Sequence, residues 1–238
     1  MFRDRADAGR KLGLRLREDP TLHDPVVLGL PRGGVPVAAE VAAVLGTSFD
    51  VFVARKIGAP GNPEFGIGAI AEDSDEPVAS TMASGIGLGH AELLQLAGPQ
   101  REEVARRAAL YRDGKPVPPL GGKHVIVVDD GLATGVTAEA ALRALRPKRP
   151  QRLLLAVPVC AAETGARLEA VADEVIWLHA SADFMAVGQW YANFSQTSDE
   201  EVLQLMRERD RLLPLAGAAV PAHVRPGWHV IALAGNPG

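Results

Sequence analysis

Asp129 and Asp130 stand side by side, and Gly131, Thr134, Gly135 and Thr137 follow them closely. Paired carboxylates accept hydrogen bonds from sugar hydroxyls, or bind them through a divalent metal. The glycines permit a tight turn with close backbone approach, and the hydroxyls bring donors to the start of the helix that AEAALRAL continues. Free N–H groups and the positive end of a helix dipole converge there, which makes a seat for phosphate. An anion cradle beside an acid pair suits a sugar phosphate, the cradle taking the phosphate and the acids the ribose hydroxyls. A strand, turn and helix capped by Thr134 accounts for the Thr-Gly step alone; the full order is more specific. No Lys follows Gly135, so the Gly-x-x-x-x-Gly-Lys pattern of nucleotide triphosphatases is absent.

The elements that must hold these residues can be read on either side of them. Val125 to Val128 is an apolar run without alternation, the pattern of a strand buried on both faces of a parallel sheet, and its end is the rim where ligands bind in open α/β sheets. The same order of strand, glycine-broken turn and helix occurs earlier. Val26 to Leu30 leads into Pro31-Arg32-Gly33-Gly34 and a helical stretch that closes at Gly46. Turn chemistry explains the glycines, but an Arg at that junction can also meet a polyanion with its forked donors. Arg3 to Arg17 predicts a leading helix, and Phe49 to Lys56 a strand ending in two cations. Gly58 to Gly66 breaks regular structure as a surface hairpin, and Gly98-Pro99 is expected to divide the long helix that ends near Arg112. Arg152 to Val159 and Glu174 to Ala180 are later strands with a helix between them, and this alternation predicts a parallel α/β sheet. Phe184, Trp190, Tyr191 and Phe194 crowd the segment before a capped closing helix, and from Leu212 the chain becomes a Pro, Gly and Ala-rich tail, linker or stub of a further domain.

Val125 to Thr137 resembles the phosphoribosyl-diphosphate (PRPP) binding motif of type I phosphoribosyltransferases, and the likeness extends over about residues 22 to 209. With FRDRADAG, PRGGVP, ARKIGAPGNPE and GQWYANF, the chain is most similar to an uncharacterised bacterial subgroup of that family. The resemblance implies an open, mainly parallel twisted sheet flanked by helices, in a domain of residues 1–211 with a small hood at about 181–211. It implies Mg²⁺-dependent transfer of a 5-phosphoribosyl group from PRPP to a small nitrogenous base, with release of diphosphate. Asp129 and Asp130 would be the catalytic residues and would hold Mg²⁺, directly or indirectly. The 5-phosphate would lie on Gly131, Leu132, Ala133, Thr134, Gly135 and Thr137, and the diphosphate on Arg32, Gly33, Gly34, Arg55 and Lys56, the last two opening a mobile loop with Gly58 to Gly66 as its hinged body. Phe184 and Trp190 would face the acceptor base, and homodimers are the family habit. Two departures stand out. Purine-type members carry a Lys where Ala156-Val157-Pro158 stands, and an Asp near the hood where Asn193 is the nearest candidate. A PRPP-sensing regulatory module without transfer is the alternative, and a diphosphokinase making PRPP a third.

With 238 residues, 47% hydrophobic and 23% charged, the chain can bury a large core. A net charge of -4 argues against a nucleic-acid partner held by bulk charge. A single cysteine, Cys160, permits a reducing cytoplasm, the expected location, and reads as a small buried hydrophobe. The histidines do not cluster with Cys or one another, which leaves no case for zinc, and no apolar run reaches spanning length.

Overall fold

Unbroken apolar runs and glycine-closed helices alternate along the chain, and the computed structural model, which describes residues 1–85 and 87–216, folds them in that order. Helix α1 (Arg5–Arg17), strand β1 (Val26–Gly29), helix α2 (Gly34–Leu45) and strand β2 (Phe49–Val51) come first. Strands β3 (Ala54–Ala59), β4 (Asn62–Ala71) and β5 (Val78–Ala79) precede helices α3 (Thr81–Gly85) and α4 (His90–Arg112). The remainder is β6 (His124–Val128), α5 (Val136–Leu145), β7 (Arg152–Ala161), α6 (Ala162–Leu168), β8 (Glu174–Ser181) and α7 (Asp199–Ala216). No described helix is long and apolar enough to cross a membrane.

Five strands form a parallel sheet in the order β2-β1-β6-β7-β8, as the alternation predicts. β6 lies at its centre and is buried throughout. Ile126 and Val128 pack with Leu12 and Leu16 of α1 and Val41 of α2, whereas Val125 and Val127 pack with Leu142 and Leu145 of α5. Successive strand side chains point to opposite faces, so covering both faces with helices removes any need for polar alternation. β2 lies to one side of β1 and β6 to the other. Strand order therefore reverses between β1 and β6, where their carboxyl ends open a crevice.

α1 begins at Asp4, whose side chain accepts the Asp7 amide at 2.7 Å. A Cβ at Gly9 would lie 2.7 Å from the Val37 carbonyl oxygen, and one at Gly13 would lie 2.8 Å from Val44 Cβ. These two glycines let α1 and α2 approach closely.

The hairpin reading of Gly58 to Gly66 holds, and four other expectations, on a strand, a helix break, the extent of the hood and the start of the tail, are corrected. Phe49 to Lys56 is not one strand: β2 ends at Val51, and β3, which contains Arg55 and Lys56, belongs to a separate antiparallel sheet ordered β3-β4-β5. Gly58 to Gly66 accordingly forms the β3–β4 hairpin, with Ala59 opposite Asn62. Pro99 stays inside an undivided α4, because the carbonyl it leaves unpaired belongs to exposed Gln95 while Leu93, Ala97, Val104 and Ala108 anchor the helix on both sides. α7 is not hood: Val202 and Met206 enter the main core, and Arg209 reaches Asp50 at 2.9 Å. Because α7 also takes in Leu212 to Ala216, the expected tail is left with residues 217–238, outside the described region. Cys160 is fully buried, which pushes its thiol up to about 11, in keeping with a packing role.

The second sheet is tied to the first by a buried ion pair. Arg112 meets Glu72, and both side chains are at least nine-tenths buried. Glu72 also accepts the Val53 amide at 2.6 Å, and Arg112 donates to the Val51 carbonyl at 3.0 Å. These bonds draw the chain out of β2 and into β3. Removing one member of a buried pair leaves an uncompensated charge, so Glu72→Ala is expected to cost about 3–5 kcal/mol in urea unfolding. Lys148→Ala, which breaks an exposed pair with Asp73, should cost less than about 1 kcal/mol.

Candidate active site

The loops leaving β1 and β6 meet at the crevice. Leu30 N–H donates to the Val128 carbonyl at 2.9 Å, which extends the pairing to the rim, and the Pro31-Arg32 peptide is cis. Gly33 and Gly34 then lie against the acids. A Cβ at Gly33 would come within 2.0 Å of Asp130 Oδ2, and one at Gly34 within 2.6 Å of the Val128 carbonyl oxygen and 3.1 Å of Asp129 Oδ1. Both glycines are therefore required sterically, and the two expected binding segments share one site.

Burial sets the electrostatics of the acid pair. It pushes Asp129 well above the usual carboxylate range, and the neighbouring Asp130 charge pushes the same way. Burial also raises Asp130, but Arg5 opposes the shift. Arg5 Nε donates to Asp130 Oδ2 at 2.8 Å, with only 12% and 14% of the two side chains exposed. Arg5 also donates to the Ser195 carbonyl at 2.6 Å, and its guanidinium lies 4.0 Å from the Phe194 ring centre. The Tyr191 hydroxyl donates to the Asp130 carbonyl at 2.6 Å. Phe2 N–H bonds the Trp190 carbonyl at 2.7 Å, and Ala192 N–H the Phe2 carbonyl at 2.8 Å. Residues 187–195 are thus joined to the amino-terminal segment beside the acids.

Sequence reasoning did not find Arg5, Tyr191, Tyr111 or Asp199 as site residues. Arg32 Nη1 is 3.7 Å from Asp199 Oδ1, and that oxygen accepts the Tyr111 hydroxyl at 2.6 Å. The FRDRADAG segment carried a signal for Arg5. Tyr111 and Asp199 are far from the motifs in sequence, and nothing local marks them.

Around the anion cradle, Ala133 and Thr134 are exposed, Thr137 is half-buried, and Gly135 takes a left-handed φ of 67° as the cap of α5. Leu132 is a correction. Its amide donates to the Val159 carbonyl, its own carbonyl accepts from Ala161, and its side chain is 1% exposed, so it pins the loop to β7.

The remaining candidates have partners of their own. Arg55 donates to Gln100 at 3.0 Å and approaches Glu103 at 3.4 Å, which turns it toward α4, and Lys56 is exposed on β3. Phe184 and Trp190 stack on each other with centres 6.2 Å apart, and Trp190 also stacks on His179 at 5.8 Å. No group of three or more His, Cys, Asp or Glu side chains gathers among the described residues. Asp129 and Asp130 supply two carboxylates, a set that fits Mg²⁺ when substrate oxygens and water complete the shell. Gly33→Ala should displace Asp130 from Arg5 and cost about 1–3 kcal/mol in denaturant unfolding, with faster solvent exchange of the Arg5 Nε proton in NMR spectra.

A family model described as the phosphoribosyl transferase domain matches residues 3–186. The Mycobacterium tuberculosis protein named "Putative phosphoribosyl transferase Rv0571c" is 44% identical over 218 residues, covering 92% of this chain and 49% of its own length, and its strain CDC 1551 counterpart MT0597 matches equally. The chain therefore spans about half the length of these curated relatives. The crystal structure of TT1426 from Thermus thermophilus is 44% identical, covers 87% of this chain and 98% of its own, and superposes with a TM-score of 0.72. The glycine loop, acid pair and cradle at the β1/β6 crevice thus lie within the matched region, and the chain belongs to the phosphoribosyl transferase domain family.

Proposed function

We propose that this chain transfers the 5-phosphoribosyl group of PRPP to a nitrogenous base and releases diphosphate. The observation that carries this reading is the convergence, at one topological switch point, of an acid pair, a helix-capping cradle and an arginine-glycine loop. Thr134, Gly135 and Thr137 seat the 5-phosphate at the α5 dipole, and Asp129 and Asp130 accept the ribose hydroxyls. Arg32 turns from Asp199 to the diphosphate, where the Gly33 and Gly34 backbone can approach closely. Mg²⁺, held by Asp129 and Asp130 with substrate oxygens, would neutralise charge on the leaving diphosphate. Hood residues limit water around the cationic sugar, and Asp130, with a proton affinity raised by burial and restrained by Arg5, accepts the proton of the attacking nitrogen.

Arg55 is bonded toward α4, and this observation supports a second reading in which the chain binds PRPP as a regulatory module without transfer. Incubation with PRPP, magnesium and a panel of bases, scored for diphosphate release, separates the two. Release with one base supports the enzyme, whereas calorimetric PRPP binding without release supports the module. Asp130→Asn is expected to lower turnover by about 10²-fold or more while the protein stays folded. Arg32→Ala should raise KM for PRPP. Folded protein that gives no binding heat with PRPP and magnesium would remove both readings.

A further inference from the structure

Helix α6 lies behind the cradle and grips it through two carbonyls. Thr164 Oγ1 donates to the Ala133 carbonyl at 2.7 Å, and Arg167 Nη2 donates to the Thr134 carbonyl at 2.7 Å. The two donors are three residues apart, on one face of α6. In a planar trans peptide, N–H and C=O point in opposite directions. Drawing the carbonyls of 133 and 134 toward α6 therefore aims the N–H groups of Thr134 and Gly135 at the opposite, open side of the loop. Among the described residues no acceptor takes either N–H. Gly135 fits the same arrangement, since a Cβ there would lie 2.6 Å from Thr164 Cγ2 and 3.5 Å from Arg167 Nη2.

Arg167 is itself held. It meets Glu139, 8% exposed in the first turn of α5, and Glu139 accepts from Arg143 Nε at 3.0 Å and Nη2 at 2.9 Å. A carboxylate in that turn opposes an incoming anion, and the two guanidinium groups offset it.

We infer that Thr164 and Arg167 are positioning residues for the 5-phosphate: by bonding the back of the loop they fix two peptide planes with their amides facing the anion. The inference rests on the phosphoribosyl reading of that site. Without the brace, the Ala133-Thr134 peptide is free to rotate and present a carbonyl oxygen to the phosphate. Each is bonded to a loop carbonyl, so the expected loss is one of preorganisation.

The test is calorimetry on the full chain with two probes: ribose 5-phosphate, which carries only the 5-phosphate, and inorganic diphosphate with magnesium. Thr164→Val is expected to weaken ribose 5-phosphate by about five- to tenfold, with diphosphate changed by less than about twofold. Thr164→Ser should restore the parent value, and the Thr134 and Gly135 amide resonances should shift in unliganded Thr164→Val. Arg167→Gln, at a side chain 35% exposed, should give the same selective loss and serves if Thr164→Val does not fold. Unchanged ribose 5-phosphate binding in the folded variants overturns the inference and leaves the functional reading standing. Equal losses for both probes mark a general structural role and also overturn it. Parent protein that binds neither probe nor PRPP removes the functional reading itself.

Discussion

Two adjacent carboxylates at the mouth of a fully buried strand carry a desolvation cost, and much of the surrounding structure offsets it. Asp129 Oδ1 accepts the Asp130 amide at 2.8 Å, and Arg5 lies on Asp130. Holding a cation there requires the first turn of α1 to reach the sheet rim. That geometry depends on the close α1–α2 seam allowed by Gly9 and Gly13. Side-chain size in a helix interface is thereby linked to charge at the site.

The same contact joins segments 190 residues apart in sequence. Arg5 bonds the Ser195 carbonyl and covers Phe194, while the backbone of Phe2 and Arg3 pairs with residues 190–193. The amino-terminal segment and residues 190–195 therefore form one unit, and it meets the acids through the Tyr191 hydroxyl. Exposing Asp130 fully requires Arg5 to leave an ion pair, a carbonyl and an aromatic face together. The acids and the hood are consequently coupled in any opening.

Each loop at the crevice is also supported from behind by a side chain distant in sequence. Asp199 and Tyr111 restrain Arg32, and Thr164 and Arg167 restrain the cradle. Flexible glycine turns allow the backbone to approach a ligand, but flexibility alone gives no fixed direction to their amides. At the cradle two supporting side chains bond the backbone itself, through the carbonyls of Ala133 and Thr134.

The strands, the helices and the two glycine loops were legible in the residues because their causes are local: apolar runs, capping residues and turn glycines act over a few positions. The carboxyl-end location of Asp129, Asp130, Thr134 and Gly135 followed from the same local order. What was not legible depended on pairing across the fold. β3 left the strand containing β2 because Glu72 and Arg112, forty residues apart, meet in the interior. Arg55 turned toward α4 because its partners Gln100 and Glu103 stand on that helix, forty-five and forty-eight residues away. Residue types and spacing by themselves determined an acid pair beside a glycine turn and a helix start on a parallel sheet. Only the tertiary structure decided which cation neutralises Asp130 and which side chains aim the loops, because contacts between distant segments arise from packing and leave no periodic trace in the chain.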